Sequence, residues 1–321
     1  MKKLFISMLA IAALASCAKE EVIVADQGEL IGFNSFVENS TRADKATDPS
    51  LNASNFKEFN VWGTVGGVAI YSGDKVTGDV GSNIVEDKET MIWTCPTVKQ
   101  YWIKGAVYKF AALRNEGAKT NVTCVDNLPS KVKFDATAAN VDLLYAKNYG
   151  ANDNGIIGQA SNNAPVNFNF EHLLSKVKFT VNNGSTSATG YSFVVKNIVV
   201  NGSKTGTVTL ADKTWSDKSD AANYDPFSIT VGSGVASQEC ANELLLIPGN
   251  VNVSFTVAIL CNGTEIASHN YPAEGTYTKT IQGGYAYNFT IGVAVGEEIT
   301  FSVTQEPAWT PATGGSEVTL Q

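Results

Sequence analysis

The sequence predicts an all-β protein built as two β-sandwiches in tandem. Short runs rich in Val, Ile, Phe, Tyr and Thr recur along the chain, separated by Gly, Asn, Asp and Pro. Almost no stretch carries the period of an amphipathic helix. A chain of 321 residues also exceeds what one hydrophobic core usually supports, which favours two domains. With 44% apolar and only 17% charged residues, it can bury sizeable cores, and disorder is not expected.

The first element is a leader. Residues 1–16 place Lys2 and Lys3 before the apolar run LFISMLAIAALA, which reads as a secretory signal peptide. The run is too short to cross a bilayer core of about 30 Å as a stable helix. It ends in LASC, which resembles the lipobox of bacterial lipoproteins, where the cysteine is acylated and becomes the new N-terminus. That assigns lipidation to Cys17, with palmitate-type chains holding the outer membrane at roughly 0.8 kcal/mol per buried methylene. The following Ala18-Lys19-Glu20-Glu21 is similar to the export signal that sends lipoproteins of Bacteroidetes to the outer face of the outer membrane. Losing the leader changes 23 basic against 31 acidic side chains to 21 against 31, so the net charge moves from −8 to −10. So acidic a chain is not expected to bind nucleic acid.

From Glu29 to Val37 the sequence ELIGFNSFV alternates, with Ile31, Phe33 and Val37 on one side, as a half-buried strand requires. A polar linker follows, in which Arg42-Ala43 offers a cut site to a trypsin-like protease. Residues 17–55 therefore form an anchored strand and its linker. The first sandwich is expected over residues 56–171, from runs at 58–65, 68–71, 91–93, 107–113, 122–125, 141–146 and 166–170. Its joints are Gly66-Gly67, Ser72-Gly73-Asp74, Pro129-Ser130 and the stretch from Asn148 to Asn163. The second is expected over residues 172–321, from runs at 175–181, 191–200, 206–210, 242–247, 251–260, 264–271, 285–293 and 299–304. Asn262-Gly263 between two of these reads as a tight hairpin turn. Residues 50–57 and 211–222 are the weakest helix-like stretches, with a surface turn as the alternative for either.

The sequence offers few parts for catalysis. Neither His172 nor His269 sits in a zinc or nucleophile-elbow motif, and His172, beside an apolar strand, reads as structural. Asp74, Asp79 and Asp153 lack EF-hand spacing and read as polar turns, so no metal is expected. The paired glycines lack the strand-to-helix context of a phosphate cradle, and no cofactor is expected. Cys95, Cys124, Cys240 and Cys261 read as small buried residues, with one disulfide per half as the alternative. Four of the five tryptophans lie in or beside strand runs. Trp215, in DKTWSDKSD, reads as exposed and is the candidate contact for a glycan.

The stretch NFNFEHLLSKVKFTV, Asn167 to Val181, is similar to the signature of the fimbrillin family of Bacteroidales type V pili, which carries a His-x-Leu-(Ser/Ala)-Lys-Val segment between two strands. The lipobox at Cys17, IGFNSF, Thr41-Arg42-Ala43, LLLIPG (Leu244 to Gly249) and ITFSVTQEPAW (Ile299 to Trp309) fall in the family's order. The resemblance implies two transthyretin-like β-sandwiches and a non-enzymatic subunit exported as a lipoprotein. It also implies trimming by an arginine-specific protease at Arg42, which removes the strand of Ile31, Phe33 and Val37. A strand from a neighbouring fimbrial subunit then fills the slot by β-augmentation. If the tail at residues 310–321 is a donor, it brings only Val318 and Leu320 as apolar side chains. Host proteins or glycans are the further partners implied for an adhesive surface fimbria. The alternative function is a monomeric surface lipoprotein that binds glycan through Trp215.

Overall fold

The computed structural model describes residues 29–37, 58–85, 88–114, 121–136, 142–149, 154–159, 163–241 and 243–306. All regular structure among them is β, as expected, and no helix there is long and apolar enough to cross a membrane. Cys17, Arg42, Ala43 and the tail lie outside the described residues, as does the helix-like stretch 50–57.

The first half contributes β1 (Phe33–Val37), β2 (Glu58–Val65), β3 (Val68–Val85), β4 (Lys88–Thr94), β5 (Val107–Arg114), β6 (Val122–Val125), β7 (Leu128–Asp135), β8 (Leu144–Lys147), β9 (Ile156–Ile157) and β10 (Val166–His172). Hydrogen-bonded neighbours run β2, β3, β4, β1, β10, β8, β5 and back to β2, a closed ring of seven strands. Inside it lies an aromatic core that includes Phe59, Tyr71, Trp93, Trp102, Tyr108, Phe110, Phe168 and Phe170. Closing the ring removes the exposed sheet edges that would otherwise invite pairing with other chains.

The second half comprises β11 (Ser175–Asn183), β12 (Tyr191–Ser203), β13 (Thr205–Thr209), β14 (Thr214–Ser216), β15 (Ala221–Asn223), β16 (Phe227–Val231), β17 (Ser237–Glu239), β18 (Leu244–Leu246), β19 (Gly249–Cys261), β20 (Thr264–Tyr271), β21 (Tyr277–Ile281), β22 (Ala286–Val293) and β23 (Thr300–Glu306). One sheet runs β17, β11, β22, β23 with β18 also on β11. The other runs β15, β12, β19, β20 with β16 and β21 alongside. Their inner faces meet through Val177, Phe179, Phe289 and Phe301 from the first sheet and Phe193, Val195, Val253 and Phe255 from the second. This is the sandwich that the alternation in β12, interrupted by a bulge between Val195 and Ile198, and in β19 foretells.

A fourth sheet runs β14, β13, β7, β6, and it joins the two expected domains: Val208 of β13 pairs with Val132 of β7. Beneath it a third core gathers Trp62, Leu113, Phe134 and Leu143 from one side of residue 172 with Leu173, Val208, Leu210 and Ile247 from the other.

Several local expectations are corrected. Pro129-Ser130 is not a joint but lies in β7, whose alternation buries Val132 and Phe134 and exposes Lys131 and Lys133. The turn sits earlier, at Asp126-Asn127, both left-handed at φ 50° and 65°, and Pro129 falls at a bulge opposite Cys124, where a missing N–H is tolerated. Gly73 likewise stands inside β3, at a bulge rather than a turn. Of the two readings of residues 211–222, the turn is the one observed, with turns flanking β14. The expected hairpin is present, with Asn262 and Gly263 at φ 47° and 82° between β19 and β20. Cys95, Cys124, Cys240 and Cys261 form no disulfide, and none is fully buried: each lies at a strand end or beside one, with Cys95 and Cys240 packed half-buried against the cores.

Candidate functional site

The strand that closes the first ring is the one the sequence marks as removable. Val166 N donates to Gly32 O at 2.8 Å, and from there β1 lies parallel to β10 in register from Phe33↔Val166 to Val37↔Phe170. On its other side, among the described residues, only Phe33↔Trp93 joins it to β4. The approach to β1 is also paired. Ile31 N donates to Gln100 O and Trp102 N to Glu29 O, each at 2.9 Å. The Glu29 carboxylate accepts from Asn163 N at 2.7 Å and from its Nδ2 at 3.3 Å.

Ile31 and Phe33 point into the core and are each 4% exposed. The Phe33 ring stacks on Phe168 at 6.0 Å and meets Phe59, Tyr71 and Phe110 edge-on at 6.5, 5.6 and 6.3 Å. Such aromatic pairs add about 0.5–1.5 kcal/mol each beyond the area they bury. Burial pushes the Tyr71 and Tyr108 hydroxyls above the ordinary phenol range. Tyr108 Oη accepts from Ile103 N at 2.7 Å and donates to Tyr101 O at 3.2 Å, tying the loop over the strand's entrance. Gly63 gives the ring room, since a Cβ there would sit 2.7 Å from Phe110.

This site can hold an extended segment by main-chain hydrogen bonds and select it by the side chains at alternate positions. Of the residues the sequence marks on this strand, Ile31 and Phe33 are buried in the ring, and Val37 pairs with Phe170. The pocket walls, Phe59, Tyr71, Phe110 and Phe168, escaped the sequence reading. Their inward alternation was visible, but nothing local shows that four strands from Glu58 to His172 converge on one ring.

The other candidates sort by burial. His172 Nδ1 lies 2.5 Å from Asp142 Oδ2, both side chains at most 4% exposed, at the joint between β10 and β11. This agrees with a structural histidine, and Asp142 Oδ1 stays buried without a hydrogen bond. Trp215 is not exposed as expected. The β13–β14 hairpin pairs it with Val208 and turns its ring inward against Phe134, and its Nε1 donates to Leu173 O at 3.2 Å. Among the described residues no three His, Cys, Asp or Glu side chains cluster as a metal site.

Residues 41–307 match the family model described as fimbrillin-like. The chain belongs to the fimbrillin-like family. This is a structural, fimbrial family, in keeping with a non-enzymatic chain. Among solved structures, a fimbrial protein from Bacteroides vulgatus is 13% identical, with a TM-score of 0.58 over 88% of this chain and 100% of that one. A Bacteroides ovatus protein with a suggested role in cell adhesion is 12% identical, with a TM-score of 0.52 over 89% and 99%. No curated protein matches the sequence significantly. The fimbrillin-like match opens at Thr41, beside Arg42 and Ala43, and leaves β1 outside it.

Proposed function

We propose that this fimbrillin-like chain is a structural and adhesive subunit of a surface fimbria, held at the outer membrane through Cys17 until a cut after Arg42 frees it. The cut releases β1, and a strand from a neighbouring subunit takes its place between β4 and β10. The observation that carries this reading is the contrast at β1. Phe33, with Ile31 just before it, is integral to the core, yet β1 is a separate stave, joined to β2 only through residues 38–57, which contain Arg42. Loss of such a strand opens both a sheet edge and an apolar slot, which a second strand would fill at once. The division at residue 172 belongs to the same reading, although the β7–β13 pairing would bind the two parts firmly.

Limited digestion with an arginine-specific protease tests it. Fibres appearing in negative-stain micrographs only after the cut, built from chains that begin at Ala43, are the expected result; fibres of full-length lipidated chain would overturn the cleavage step. A monomeric glycan-binding role would rest on Trp215, whose indole N–H is already engaged by Leu173 O.

A further inference from the structure

The chain carries 21 lysines but only two arginines, Arg42 and Arg114. Among the described residues, the ion pairs of Glu58, Glu171, Glu243 and Glu265 are all made by lysine, from Lys75, Lys213, Lys176 and Lys196. Lys176 makes its pair while only 6% exposed. A guanidinium ordinarily suits such a buried pair better, because its planar fork matches a carboxylate and is more weakly hydrated than an ammonium. The demands of pairing therefore do not explain why arginine is so scarce. A cost attached to arginine itself does, and an arginine-specific protease supplies one.

The two arginines are placed very differently. Arg42 lies in the link between β1 and β2, whereas Arg114 is the last residue of β5 and is 9% exposed. β5 is an inner strand of the ring. β2 pairs along one edge of it from Tyr108 to Leu113, and β8 along the other from Ala111 to Arg114. The cross-strand row of Arg114 and Leu144 continues to His172 of β10, which is paired with the buried Asp142. A protease that takes an extended segment needs a free strand edge for main-chain hydrogen bonds and an arginine side chain free to enter its pocket. The closed ring withholds both at Arg114.

We propose that Arg114 is a second cut site that folding conceals, so that the enzyme acting at Arg42 also tests whether the first ring has closed. This rests on the processing proposed above for the presence of that enzyme. Each cut adds one water across a peptide bond, leaving a carboxylate on the arginine and an amine on the residue after it. A folded chain is cut once, after Arg42, and stays in one piece from Ala43 onward. A chain whose ring is open is cut after Arg114 as well, which separates β2 to β5 from β6 to β10. Neither piece then holds the strands of a ring, so the failed chain leaves the pool of subunits. Lysine elsewhere keeps exposed segments charged without offering the enzyme further bonds.

The test digests the full chain with an arginine-specific protease and reads the products by intact mass. Folded protein is expected to give the 43–321 piece alone. Cutting after Arg114 should be slower than in unfolded chain by on the order of a thousandfold or more, because cleavage of a concealed bond follows the small fraction of open molecules. Phe110→Asp places a charge among the ring's buried aromatics and should open it, as loss of the circular dichroism signal would show. That variant should be cut after both arginines, and adding Arg114→Lys should return a single 43–321 product from a chain that is still open. Lys99→Arg, in the exposed segment before β5, should gain a cut after residue 99 in the folded protein. Cutting of the folded chain after Arg114 as fast as after Arg42, or survival of the opened Phe110→Asp chain as 43–321, would overturn the concealed site. A folded Lys99→Arg chain without a new cut would overturn the account of the lysines. A folded chain left whole at Arg42, while the Phe110→Asp chain is still cut after Arg114, would instead overturn the trimming proposed above and leave the concealment standing.

Discussion

Each half of the molecule opens with a strand that lies parallel to a strand near that half's end. β1 lies along β10 over five residue pairs, and β11 along β22 over eight. Both present an aromatic side chain to a core, Phe33 in one and Phe179 in the other, each stacked on a phenylalanine of its parallel partner. The difference lies on the other edge and at the ends. β11 is held on its far side by β17 and β18, through Thr180 to Asn182 and Ser175 to Val177, and continues directly from β10 through Leu173-Leu174. Among the described residues β1 has one pair on its far side, and the chain continues from it to β2 through residues 38–57. The same architectural position is thus flanked along both edges in one half and along little more than one edge in the other, a difference in neighbours rather than in how well the strand fills the core.

The sharpest way to break this comparison is to empty the two aromatic sites in turn. Phe179→Ala should lower stability by about 3–5 kcal/mol in urea melts of uncut and trimmed protein alike. Phe33→Ala should cost a similar amount in the uncut chain and nothing after trimming, since the residue is gone. Equal losses from Phe33→Ala before and after the cut would contradict the idea that β1 departs. Asp142→Ala comes next. It leaves His172 buried without its carboxylate, at about 3 kcal/mol or more, and should shift the unfolding of both halves together because the pair sits at their joint.

A pH series compares the halves more gently. Burial raises Tyr71 in the first half and, most clearly, Tyr224 in the second, pushed up to about 12 from 10.0. A phenol whose folded value is raised contributes stability that is fully present below its unfolded value near 10.0 and is lost as pH rises through the folded value. Circular dichroism should therefore show melting temperatures falling between pH 10 and about 12, with little change below pH 9 from this source. The smallest effect is expected from Glu29→Ala, which removes an exposed carboxylate from Asn163 and should cost about 1 kcal/mol or less, in the uncut chain only.

Much of this was legible in the sequence where the pattern is local. The alternation of Ile31 and Phe33 gave the buried face of the first strand, and Asn262-Gly263 its hairpin. Reading failed where a breaker residue sits inside a strand. Pro129 and Gly73 are bulge residues, tolerated because the ladder is already irregular there. It failed again for Trp215, whose polar neighbours in DKTWSDKSD describe its flanks and not the face its hairpin turns inward. The ring closure and the β7–β13 sheet were beyond reach, because both depend on which distant strands become neighbours.

The Phe33↔Val166 pairing joins positions far apart in the chain, and its covalent link gives the closing strand a kinetic and mass-action advantage. While residues 38–57 remain intact, they hold β1 near its slot at an effective concentration on the order of millimolar. Any strand arriving from another molecule must compete against that local excess, however well it fits. Cutting within the link changes no contact in the slot but turns the occupant into a dissociable ligand, so one peptide bond converts a question of folding into one of dilution.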